Sequence, residues 1–227
     1  MIAALLLAAA LAAAPAELSP EARSAIAPVI DAIAAERAAQ AKLPPAKDDA
    51  EKLVRLGKLD QAPRMALGKV DLMKAPEAER TRAFDAMRDA MKAVDDETEV
   101  EVLKMVPPEG WFTRSRYGAE AATAAFLIIQ HSKIEHWRRF LPIFEQLVAK
   151  GEVAGNSYAL MYDRLAVNEG RPQRYGSQLR CQGGKLVPLP LEDPARVEAW
   201  RKEMDMPFTY AEQFANLDKV KVPCKGP

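Results

Sequence analysis

Two ionisable side chains fall where the surrounding pattern asks for an apolar one. His131 follows Ile128 by three residues and Leu127 by four, on their helical face, and Asp163 shares a face with Ala159, Leu160, Ala166 and Val167. A carboxylate turned into apolar surroundings is costly unless it is paired or hydrogen-bonded. Arg164 is adjacent but points about a quarter turn away, so it is not automatically the partner. One explanation for Asp163 is structural: a salt bridge, or bonds to backbone amides such as those of the loop after Gly170. The other is a site, in which Asp163 orients His131 and His131 serves as a general base or as a hydrogen-bond donor to a ligand.

More polar residues accompany these two. The segment Gly170-Arg171-Pro172-Gln173-Arg174-Tyr175-Gly176-Ser177-Gln178 packs two glutamines and a tyrosine into a helix-to-strand junction. Gly176 suggests a close backbone approach or an unusual dihedral. Strand alternation puts Tyr175 and Ser177 on one face and Arg174, Gly176 and Gln178 on the other. The glutamines either satisfy loop amides or read a polar ligand. The candidate pocket therefore consists of His131 and Asp163 as catalytic residues, with Gln130, Arg164, Gln173, Tyr175 and Gln178 as ligand contacts. His131 and Glu135 share a face if the helix continues through Lys133, and with a third carboxylate they could hold a metal. An ordinary hydrogen-bonded pair is the favoured reading, so neither a metal nor a cofactor is assigned. Trp111, Arg114 and Arg116 either rim a pocket for an anion or belong to a solvated loop around one buried tryptophan. No GxGxxG, P-loop, GxSxG or HExxH motif occurs.

Helices must position these residues. Ser19-Pro20-Glu21 is a helix start, followed by Ile26, Val29, Ile30 and Ile33 at helical spacing. That helix stops before Pro44-Pro45. Asp48 or Asp49 starts a short second helix through Leu53, Val54 and Leu56, and a weaker third covers 61–73. Pro76-Glu77 opens a fourth with Phe84, Met87 and Met91, and Asp95 or Asp96 caps a fifth that ends at Pro107-Pro108. Residues 119–132 form an alanine-rich helix. Ile134, Trp137, Phe140, Phe144 and Leu147 make an apolar stripe in which Pro142 marks a kink or a new first turn. A helix over 157–169 follows. Residues 174–181 and 185–189 read as a β-hairpin about Gln182-Gly183-Gly184. Asp193-Pro194 and Tyr210 open the last helices. The expected fold is mainly α, a multi-helix domain with one C-terminal β-hairpin. It divides into a signal peptide over 1–16, an N-terminal helical region over 17–94 and a helical domain with the hairpin over 95–227.

Composition limits the partners. Lysines and arginines balance aspartates and glutamates, 32 against 32, with no basic stripe. This argues against nucleic acid or an anionic membrane surface. Residues 1–16 are apolar, carry no charged side chain and end in Ala14-Pro15-Ala16, a small-x-small pattern that a signal peptidase could cut before Glu17. The usual Lys or Arg near the start is missing. After cleavage no membrane span is expected, and the protein would be periplasmic or secreted. Cys181 and Cys224 would then form one disulfide. The closed loop of about 40 residues would contribute roughly 3–4 kcal/mol.

The chain resembles an uncharacterised bacterial family, a domain of unknown function. The resemblance covers about residues 95–217. Its pattern here is Gly110-Trp111 with Arg114, Ser115 and Gly118; Gln130-His131; Asp163-Arg164; Gly170-Arg171-Pro172-Gln173 with Tyr175-Gly176-Ser177-Gln178; and Pro188 with Leu191-Glu192-Asp193-Pro194. Two positions depart from it: Phe112 stands where proline is expected and Glu135 where aspartate is. The resemblance brings no activity, and implies only that these polar residues act as one set. Three functions follow: a ligand-binding domain, a hydrolase or transferase with His131 as base, or a structural or interaction protein of the cell envelope.

Overall fold

A computed structural model describes residues 17–183 and 185–219. The elements are α1 (Pro20–Gln40), α2 (Asp49–Ala66), α3 (Arg80–Met105), α4 (Arg114–Tyr117), α5 (Ala119–His131), α6 (Ile134–Val148), α7 (Gly155–Asn168), β1 (Leu179–Gln182), β2 (Lys185–Pro188), α8 (Val197–Glu203) and α9 (Tyr210–Lys219). The fold is mainly α with a C-terminal β-hairpin, as expected. Residues 1–16 and Cys224 lie outside the described residues, so the signal peptide and the disulfide do too. Cys181 sits on β1 opposite Leu186. Among the described residues no helix is long and apolar enough to cross a membrane.

The chain starts as its caps dictate. The Ser19 hydroxyl accepts from the Ala22 amide, with Pro20 at the first helical position. Two boundaries differ from the sequence reading. Helix α2 continues through Pro63 to Ala66, where a break after residue 56 was expected. Proline removes one N–H and crowds the preceding turn. The bond that Pro63 cannot make is the one to the Leu59 carbonyl, and one residue on the Arg64 guanidinium donates to the Asp60 carbonyl at 2.6 Å. Helix α3 runs unbroken for 26 residues, without a cap at Asp95 or Asp96. Its buried side chains Met87, Val94, Thr98 and Val102 form one continuous seam, and Thr98 satisfies its hydroxyl on the Val94 carbonyl at 2.9 Å.

The main core collects Leu53, Val102, Trp111, Phe112, Phe126, Ile128, Ile129, Phe140, Phe144 and Met161. Trp111 lies edge-on to Phe144, with ring centres 4.4 Å apart. Both Trp111 and Phe112 are buried, so the loop anchors the core, and Trp111 with Arg114 lines only a small cavity of about 20 Å³. A smaller core joins α1 to α2 and α3 through Ala22, Ile26, Val29, Ala83 and Met87. Helices α2 and α5 cross closely: a Cβ on Gly57 would lie 2.5 Å from the Cβ of Ala124. Such an approach needs small residues on both sides.

Candidate functional site

The polar residues singled out from the sequence separate into two groups. The first surrounds Asp163. Its buried carboxylate accepts the backbone amides of Arg174 at 2.7 Å, Tyr175 at 3.0 Å and Ser177 at 2.9 Å. Burial raises its pKa above the ordinary aspartate value, and the amide bonds oppose that rise. Arg201, also buried, ties this loop to the segment after α8, donating to Tyr175 O at 2.6 Å and to Phe208 O at 2.7 Å. Gln173 is fully buried. Its side chain accepts from Gln178 N at 2.7 Å and donates to Gln178 O at 3.0 Å and Leu189 O at 2.9 Å. At Gly176, with φ +70°, a Cβ would lie 2.4 Å from the Tyr210 ring.

This loop therefore does not enter the sheet at Arg174. Its amides are spent on Asp163 and Gln173, and strand pairing begins only at Leu179, which faces Pro188. The expected alternation of Tyr175 and Ser177 does not apply. Asp163, Gln173 and the backbone of Tyr175 and Gln178 are bound internally, as a clamp that seats the hairpin on α7 and α8. The pairing of Asp163 with His131 is corrected: each has other partners.

The second group lies where α2, α3 and α5 meet. One turn after the Gly57 crossing, α2 presents Asp60, whose side chain is 0% exposed. His131, the last residue of α5, brings Nδ1 to 3.0 and 3.1 Å from the two Asp60 oxygens. A carboxylate facing Nδ1 favours a proton there, which leaves the Nε2 lone pair outward in the neutral ring. Gln61 donates to Asp60 Oδ2 at 2.6 Å. Arg64 lies 3.3 Å from Asp60 Oδ1 and 2.8 Å from Asp95 Oδ1. Burial lifts the Asp95 carboxyl above its ordinary range, with Arg64 opposing. Potential metal-ligand atoms of Asp60, Asp95 and His131 lie within 4.8 Å of one another. The Arg64 guanidinium bridges the two carboxylates and offsets one of their two charges.

The His131–Glu135 arrangement is also corrected. Helix α5 ends at His131, Ser132 is extended, and Glu135 is exposed in the first turn of α6. The second histidine has its own acid: His136 Nε2 lies 3.3 Å from Glu99.

The exposed carbonyls at the end of α5 are capped from two helices. Ile129 O receives the Trp137 indole N–H at 2.9 Å, and Gln130 O receives Arg164 Nη1 at 3.1 Å. Arg164 also stands 5.7 Å over the Trp137 ring. Burial draws its pKa below the ordinary arginine value, and the charge of Arg64 acts in the same direction. Gln130 Oε1 is buried with no partner among the described residues. Of the seven residues grouped from the sequence, Gln130, His131 and Arg164 lie at this end of α5, and Asp60, Arg64 and Asp95 beside them were not expected from the sequence.

A groove of about 680 Å³ runs beside this corner between α2 and α5, its walls including Glu36, Gly57, Lys58, Ala124 and Leu127. Gln61 lines it and also bonds Asp60, so this side chain is where groove and corner meet.

No curated protein and no solved structure matches the chain. A family match does exist, and it reaches back to residue 47, taking in α2 with Asp60 and Arg64 as well as the region of the motif pattern. Residues 47–220 match the model of a family of unknown function, DUF6624, and the chain belongs to that family.

Proposed function

We propose that this is an exported ligand-binding domain whose working site is the Gln130–His131–Arg164 corner. The observation that carries it is His131. Its Nδ1 is pinned to a fully buried carboxylate, while Nε2 makes no hydrogen bond among the described residues. A ring fixed by one nitrogen presents the other in a set direction, as a ligand contact requires. Gln130, the preceding residue of α5, carries a second polar atom, Oε1, with no partner among the described residues. Asp163, Gln173, Tyr175 and Gln178 take the role of scaffold in this reading.

A hydrolase or transferase is the second reading, favoured by the same pair. Asp60 would orient the imidazole and Nε2 would accept the proton, the base-and-orienter arrangement of many nucleophilic enzymes. Export with removal of residues 1–16, and a Cys181–Cys224 disulfide, belong to the proposal. Protein recovered from the envelope is expected to begin at Glu17, and an intact Met1 would contradict export by cleavage.

The test of the site is a melting-temperature screen of residues 17–227 against small polar metabolites, run beside His131→Gln. A ligand at one hundred times its Kd stabilises by about 2.7 kcal/mol, or roughly 5–10 °C for a domain of this size. Ligands that shift the parent and leave His131→Gln unmoved support the corner. Ligands that shift both equally place the binding site elsewhere.

A further inference from the structure

Resting on that reading of the corner, we propose that the ligand carries an oxyanion, a carboxylate or a phosphate, and that Arg164 is the residue that receives it. Arg201, which is buried, and Arg164, which is half-buried, make the case by contrast. Arg201 is engaged all round: Nη1 with Tyr175 O, Nε and Nη2 with Phe208 O, and Nη2 with Gln213 Oε1. Arg164 has the same five N–H donors and spends them on one carbonyl, that of Gln130. It makes no ion pair among the described residues. Arg64 cannot lend it an acid, because Asp60 and Asp95 are already taken by the Arg64 guanidinium.

A guanidinium stays charged in a protein. Holding it in half-buried surroundings, with a like charge as its electrostatic neighbour, costs free energy that an arriving anion would recover. Its planar fork matches two oxygens of a carboxylate or phosphate. Capping the last turn of α5 needs a single N–H, so it leaves the rest of the fork unexplained. His131 Nε2 and Gln130 Oε1 flank the same helix end, and Gln130 Oε1 can accept from a hydroxyl or N–H of the ligand. The chemical class is therefore a small hydroxy- or amino-substituted acid, or a phosphate ester.

Trp137 provides the readout, since its ring lies under Arg164 and its indole N–H is tied to the same helix end. Inorganic phosphate and succinate are titrated separately at constant ionic strength, with sodium chloride as control, and the three tryptophan indole signals are followed by NMR. The proposal expects the Trp137 signal to move saturably with one of the two anions while those of Trp111 and Trp200 stay, and the anion that acts identifies the source. Affinity should fall about tenfold or more in Arg164→Gln and less in Arg164→Lys. No anion-specific movement of Trp137 in the parent overturns it, whether or not the variants fold. Anion binding that depends on Arg164 but survives His131→Gln upholds the proposal and removes His131 as the principal contact. A neutral ligand lost in His131→Gln, with Trp137 unmoved by either anion, overturns the proposal and leaves the corner standing.

Discussion

Asp163 and Asp60 are both carboxylates on apolar helix faces, yet they do different things. Asp163 is spent entirely on three amides of one loop. Asp60 shares itself among a histidine, an arginine and a glutamine, and the histidine keeps a free nitrogen. Beside them, Asp95 is held protonated longer than in the unfolded chain, because burial outweighs its bond to Arg64. A carboxyl with a raised folded pKa contributes stability below the unfolded value of about 4, and that contribution is lost as pH rises through the folded value. Asp95→Asn should therefore melt at or above the parent at pH 7, with the gap closing toward pH 4. Melting several degrees below the parent at pH 7 would mean that the Arg64 pair outweighs the burial. Asp163 was visible in the sequence as a polar residue at an apolar spacing. Asp60 carries the same cue, four residues after Leu56 and seven after Leu53, but it falls between a helix read through Leu56 and another read from residue 61.

At the scale of elements, the corner exists because α2 and α5 approach closely at Gly57 and Ala124. Gly57→Ala gains about 1 kcal/mol of helix propensity but meets the Ala124 Cβ at 2.5 Å. Overpacking of this kind costs about 1–3 kcal/mol. The expected result is a lower melting temperature and weaker ligand binding through displacement of Asp60. The double variant Gly57→Ala with Ala124→Gly should recover both, and failure to recover would show that the crossing does not set the site. Most helices were legible from caps and apolar spacing, α1 and α6 most clearly. The first strand was not, since alternation over 174–178 looks the same whether the amides pair with a second strand or with Asp163. The signs of the clamp are Asp163 at an apolar spacing, the two glutamines and Gly176, whose positive φ and close approach the structure shows together. Asp95-Asp96 resembles an N-cap that would divide α3, a cue that the continuous seam from Met87 to Val102 overrides.

At the scale of the molecule, the larger core carries the family's matched region and the smaller one fastens α1 onto it from outside that match. The polar residues divide into a clamp and a site, and stability separates the two. Asn at 163 cannot accept all three amides, and each buried donor left unpaired costs about 1–3 kcal/mol. Gln at 131 can still donate to Asp60, which also keeps Arg64. The decisive measurement is the melting temperature of Asp163→Asn beside His131→Gln. The account predicts that Asp163→Asn falls by about 5 °C or more while His131→Gln stays within about 3 °C of the parent. Equal, large losses in both would make the corner scaffold like the clamp and contradict the account.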